Sequence, residues 1–132
     1  TLQEGTVHCF DSGLARTGAA SGNTPARSAQ PVTIIHARTN DERWKAVEAL
    51  VKEWEPVLLV VGVPRHGDGT DCDLTPRCER FARQLGGRFR LPVRTGDERF
   101  SSVMAEHGAD KIDDEAAAVI LQQYFDEQDA VA

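Results

Sequence analysis

Val57-Leu58-Leu59-Val60-Val61-Gly62 contains no polar side chain and no alternation, and its reading decides the fold. A strand with one wet face would alternate, so a short run like this asks for apolar cover on both faces, as at the centre of a mainly parallel sheet flanked by helices. Upstream, Thr39 and Glu42 form a Thr-x-x-Glu capping box that opens a helix. Trp44, Val47, Val51 and Trp54 recur three or four apart as its apolar stripe, and Pro56 closes it. Both tryptophans lie on that stripe and are read as core rather than as base-stacking platforms. Downstream, a polar loop from Arg65 to Thr70 leads to a second helix near Leu74 to Leu85, capped by Gly86-Gly87. Leu91-Pro92-Val93-Arg94 is a short strand, with Pro92 favouring its beginning or an edge.

The ends complete the pattern. Thr6 to Asp11 is rich in β-branched and aromatic residues and stops at an Asp11-Ser12-Gly13 turn. A second strand, about Arg16 to Ser21, ends in the Gly22-Asn23-Thr24-Pro25 turn of a hairpin, and Pro31 to His36 is a third. Asp97 to Glu106 reads as a short helix, and Asp113 to Asp126 as a final helix whose first acids suit the helix dipole. Three consecutive strands followed by alternating helices and strands predict an α/β fold with a mixed five-stranded sheet: an antiparallel three-strand meander extended by parallel βα units and flanked by helices. No repeat, linker or low-complexity segment interrupts residues 1–132, which predicts a single domain.

Composition narrows the function classes. The chain has 132 residues, 40% hydrophobic and 27% charged, the balance of a globular domain. No apolar run approaches the roughly 20 residues of a membrane-spanning helix, so no membrane role is expected. The first residues show neither a basic nor an apolar signal region. Cys9, Cys72 and Cys78 give an odd count and no disulfide framework, which points to the cytoplasm. A net charge of −6 argues against nonspecific coating of nucleic acid. Between Arg65 and Arg99, however, eight arginines face six acids, leaving that stretch at +2. It reads either as a surface for phosphates or as a mixed, solvated helix face.

Three acids occupy element ends: Asp11 closes the first strand, Glu98 follows the fifth, and Asp113 opens the last helix. Hydrolysis of a phosphodiester by two metal ions needs carboxylates that hold the ions roughly 3.5–4 Å apart, and Mg²⁺ prefers such hard oxygen ligands. Each acid also has a local reading. Asp11 suits a turn, Asp97 an N-cap with Glu98 serving the dipole, and Asp113 a helix start.

The blocks taken together say more. Phe10-Asp11-x-Gly13 with Arg16 and Gly18, then Val60-Val61-Gly62-Val63-Pro64 with Gly67-Asp68-Gly69-Thr70, then Asp97-Glu98-Arg99-Phe100-Ser101-Ser102, then Lys111-Ile112-Asp113 with Ala116-Ala117 and Ile120-Leu121-Gln122 occur in this order across nearly the whole chain. In this they resemble the YqgF (RuvX-like) family of pre-16S rRNA nucleases and Holliday junction resolvase-like proteins. The resemblance implies an RNase H-like fold and a hydrolase, a metal-dependent endonuclease of structured nucleic acid acting at the 5′ end of pre-16S rRNA. It implies Asp11, Glu98 and Asp113 as the catalytic, metal-binding carboxylates, Asp97 beside them as a further ligand, and two Mg²⁺ (or Mn²⁺) ions. Arg99 either clamps a phosphate or pairs with Asp97 or Glu98, and Arg65 and His66 are candidate substrate contacts. Gly13 and Gly18 would serve the first hairpin, and Gly62 and Pro64 the loop after the buried strand. Expected partners are structured RNA or branched DNA, with ribosome-assembly proteins besides, and the chain itself a monomer or weak dimer.

Departures from the pattern are local. Ser12 and Ala19-Ala20-Ser21 replace bulkier residues, which predicts looser packing of the first hairpin, and the stretch from Ser102 to Lys111 is several residues shorter than the resemblance implies. Two further readings stand beside the first: a resolvase of four-way DNA junctions, and a non-catalytic nucleic-acid-binding factor in transcription or ribosome assembly. His8, His36, His66 and His107 lack the spacing of a zinc site.

Overall fold

β1 (Thr6–Ser12), β2 (Arg16–Asn23) and β3 (Ser28–His36) are followed by α1 (Asn40–Trp54), β4 (Leu58–Arg65), α2 (Thr75–Phe89), β5 (Val93–Arg99) and α3 (Asp114–Val131). The computed structural model describes residues 5–12, 16–24, 26–99 and 114–131. The strands lie in the order β3-β2-β1-β4-β5. The first three pair antiparallel, and β4 and β5 extend the sheet in parallel from β1, as the sequence predicts. Leu58 to Pro64 is buried throughout. Its alternate residues serve different layers: Leu58 and Val60 join a core beneath α3, while Leu59 and Val61 join a core beneath α1 and α2.

Local chemistry explains the helix ends. The Thr39 hydroxyl accepts from the Glu42 amide at 3.1 Å, and the Glu42 carboxylate accepts from the Arg38 amide at 2.9 Å, so the capping box satisfies donors at the start of α1. Glu55 ends the helix in the left-handed region at φ 46°, its amide donating to the Val51 carbonyl. In α3, Ala117, Ile120, Leu121, Tyr124 and Phe125 form the buried stripe. Gln122 ties that helix to the β2–β3 turn, accepting from the Ala29 amide at 3.1 Å and donating to the Arg27 carbonyl at 3.0 Å.

Several expectations need correction. α2 runs through Gly86-Gly87 to Phe89 and is capped by Arg90 at φ 54°. Phe89 brings its ring to 6.5 Å from Trp44, and the Arg88 guanidinium lies 4.1 Å from the centre of the same ring, contacts that offset a helix cost of about 1 kcal/mol per glycine. Asp97 to Arg99 are not the start of a helix. They continue β5, paired with Val63 to Arg65 in the parallel ladder. Gly62 and Pro64 belong to buried β4 rather than to the loop after it. Trp44 is core at 5% exposure, but Trp54 ends α1 with 41% of its surface exposed. Ala19 and Ala20 are fully buried, so the small residues of β2 mark close approach rather than loose packing. At Gly22 a Cβ would stand 2.7 Å from Phe125 Cε2, which shows how near α3 lies to the sheet.

β1, β3, β4 and β5 all run one way, and their C-terminal ends share one edge. α1 and α2 begin there because each follows one of these strands. α3 begins there too, since Ile120 packs on Gly96 near that edge and Phe125 on Gly22 toward the other. The rim therefore gathers three helix N-termini, each with a partial positive charge.

Candidate functional site

The site is built around Asp11. Five consecutive positions of β1 before it are packed or partly packed between the layers, so the strand delivers its carboxylate to the rim at 1% exposure. Alternation puts Asp11 with Val7 and Cys9 on the α3 side of the sheet. Its partner on β2 is Gly18. Continuing the β1–β4 register one step beyond Phe10–Val61 sets Gly62 on its other side, and Gly62 pairs in turn with Gly96 of β5. A row reading Gly18, Asp11, Gly62, Gly96 thus crosses four strands with one side chain in it. At Gly96 the place of a side chain is taken by α3, where a Cβ would come within 3.0 Å of Ile120 Cγ2.

The same register ranks the acids of β5. Glu98 pairs with Pro64 and stands two residues beyond Gly96, on the face that carries Asp11. Asp97 pairs with Val63 and holds the alternate position, on the α1–α2 face. Asp113 and Gly13 lie outside the described residues, as does the short stretch between Ser102 and Lys111. Asp114, the next residue after Asp113, is the first of α3 and so lies at the same rim. Among the described residues no three acid, histidine or cysteine groups cluster as a metal site.

Of the expected substrate contacts, Arg65 and Arg99 are register partners at the rim and His66 follows Arg65. Arg65 ends β4 with its guanidinium 2.7 Å from Asp71 and 3.9 Å from Glu79, an arrangement that braces the β4–α2 loop. His66 is exposed in the turn that follows, where its amide donates to the Thr70 carbonyl. In that turn Asp68 accepts from both the amide and the hydroxyl of Thr70, which holds its carboxyl below the usual range. Arg99 pairs with Arg65 in the β4–β5 ladder, at the end of the strand that carries Glu98.

Sequence reasoning missed Arg43. Its guanidinium, half-buried, donates to Ser12 Oγ at 3.4 Å and to Asn40 Oδ1 at 2.7 Å and lies 5.1 Å from the Phe81 ring centre. The available signal was its place in the first turn of a helix, where a cation opposes the dipole. A groove of about 380 Å³ between α2 and β5, lined by Glu79, Arg83, Gly87 and Thr95 among others, runs apart from the Asp11 row.

A meander extended by two parallel strands, covered by two helices on one face and one on the other, with an acid buried at the end of its central strand, defines an RNase H-like α/β domain. The RuvX family, described as Holliday junction resolvase, matches residues 5–127, and the chain belongs to that family. A relative from Burkholderia vietnamiensis called "Putative pre-16S rRNA nuclease" is 48% identical over 96% of this chain and 93% of its own length. One of the same name from Paraburkholderia xenovorans is 47% identical over 94% of this chain and 90% of its own, and another from Burkholderia pseudomallei stands at the same values. No helix among the described residues is long and apolar enough to cross a membrane.

Proposed function

We propose that this chain is a cytoplasmic, divalent-metal-dependent endonuclease that hydrolyses phosphodiesters of structured RNA, in maturation of the 5′ end of 16S rRNA. The observation that carries this reading is Asp11, buried at the end of β1 in a row of glycines, with Glu98 at a same-face position two strands away. The donor set fits Mg²⁺ or Mn²⁺. It is made of carboxylates alone, the hard oxygen donors that these ions prefer. Asp11, Glu98 and Asp113 would hold two ions, with Asp97, on the opposite face by register, ranked last.

Bound there, the ions supply the charge that polarises a phosphodiester and activates a water. The protein's part is positioning. β1 is fixed between two layers and fixes Asp11 with it, so the carboxylate pays little reorganisation when substrate arrives. The helix N-termini at the rim favour the anionic backbone. Ser12, the next residue, carries the Arg43 contact to the other face of the sheet.

Replacement of Asp11 by Asn preserves shape and weakens metal binding. A well-folded Asp11→Asn protein should lose metal-dependent cleavage of a pre-16S fragment; cleavage at the unsubstituted rate would overturn the proposal. The family description favours a second substrate, a four-way DNA junction, and parallel assays on junction and precursor RNA separate the two.

A further inference from the structure

We infer that Arg43 and Arg77, from the first turns of α1 and α2, form a clamp for a backbone phosphate of the nucleic-acid substrate next to the Asp11 rim. The inference deepens the nuclease reading and rests on it. Ser12 marks the place: Arg43 Nη1 reaches its hydroxyl at 3.4 Å, and the Cys78 thiol, one residue beyond Arg77, reaches its carbonyl oxygen at 3.4 Å. Both helices therefore touch the residue that follows Asp11. Arg43 lies over Phe81, and Arg77 stands one turn before Phe81 on the same helix, so both arginines arise at the N-terminal mouth of the α1–α2 cleft.

Electrostatically this corner is adverse in the free protein. α2 has no acid in its first turn, although acids suit that position and arginine does not. Burial, and then the charge of Arg77, hold the Arg43 pKa below its usual value. Among the described residues no carboxylate forms an ion pair with either arginine, and Arg43 Nε, buried, has no hydrogen-bond partner. Arg88 at the far end of the cleft is different. It stacks on Trp44 and helps Lys52, the stronger influence, to hold the Glu48 carboxyl below its usual range, so its charge is already answered. A cation held half out of water, as Arg43 is, gains from a counter-charge. A phosphate set between Arg43 and Arg77 supplies the anion, accepts from a planar donor fork and adds to the field of two helix N-termini.

The test measures cleavage of a pre-16S RNA fragment and, without metal, its binding to the same proteins between about 50 and 200 mM salt. Arg43→Gln and Arg77→Gln should each raise KM about tenfold with kcat within twofold, and each should reduce the slope of log affinity against log salt by roughly 0.7–0.9. Arg43→Lys should restore the salt slope, and Arg88→Gln should change neither quantity. Arg77 is exposed, so its variant folds whatever happens at Arg43. Unaltered KM and slope in Arg77→Gln, or an equal effect of Arg88→Gln, would overturn the clamp while leaving the nuclease reading standing. Absence of both binding and cleavage in the unsubstituted protein would overturn the two together.

Discussion

The Thr75 hydroxyl donates a 2.5 Å hydrogen bond to the Pro64 carbonyl and accepts one of 2.9 Å from the Cys72 amide. It pins the first residue of α2 to the end of buried β4, and Pro64 is the register partner of Glu98. Thr75→Val keeps the branched shape and strips both bonds from a fully buried site. The expected loss is about 1–3 kcal/mol, read as a lower urea midpoint with an unchanged slope. An unaltered midpoint would show that the bond contributes nothing to the rim.

Register predicts that the two adjacent acids of β5 behave unequally. Glu98→Gln should lower metal-dependent cleavage by on the order of 100-fold, since several kcal/mol of charge stabilisation depends on each ligand. Asp97→Asn should fall within about tenfold of the unsubstituted rate. A steady-state comparison at saturating metal decides the matter, and the reverse ranking would contradict the same-face assignment.

Gly22 is a packing constraint rather than a turn requirement. A methyl group there would stand 2.7 Å from Phe125 Cε2 and 2.8 Å from the Ser28 carbonyl oxygen. Gly22→Ala should cost about 1–3 kcal/mol in overpacking. Adding Phe125→Leu should not restore the melting temperature, because the clash with backbone persists. A single variant that melts like the parent refutes the close approach of α3.

His8 gives the fold a dependence on acidity. Its ring is fully buried with no hydrogen-bond partner for either nitrogen among the described residues, and burial lowers its pKa to about 4. The folded protein therefore holds the ring neutral, whereas the unfolded chain takes up a proton near 6.5. Stability from this residue is fully present above pH 6.5 and is lost as pH falls toward 4, on the order of 2 kcal/mol between pH 7 and pH 5. His8→Leu should flatten that part of the urea-midpoint profile. A variant whose profile keeps the parent's slope would remove His8 as its source.

Most of the framework was legible because it rests on periodicity. The uniform apolar run at 57–62 demanded cover on two faces, and Thr39 with Glu42 fixed the start of α1 by hydrogen-bond chemistry. Errors fell where tertiary contact overrides local preference. Gly86-Gly87 reads as a stop, yet Phe89 and Arg88 find Trp44 one turn later and carry the helix on. Asp97-Glu98 reads as a helix start, yet the ladder with β4 holds both in a strand. Trp54 keeps the spacing of the stripe and brings its ring to 5.5 Å from that of His8, but as the last residue of α1 it stays 41% exposed, which spacing could not foretell.

Of the candidate site, Asp11 was named through the resemblance of its block, and its place near the end of β1 was legible from the strand pattern. The glycine row around it was not, because Gly18, Gly62 and Gly96 come from three strands and meet only through register. Arg43 was hidden for the same reason: its neighbours Ser12 and Phe81 are remote in the chain.

One whole face of the sheet depends on α3, the last element in chain order. During synthesis Val7, Cys9 and Val60 must wait for Leu121 and Phe125 before their shared apolar layer can close. With only the five strands made, no described residue covers that side. That apolar layer stays open to water until α3 has emerged.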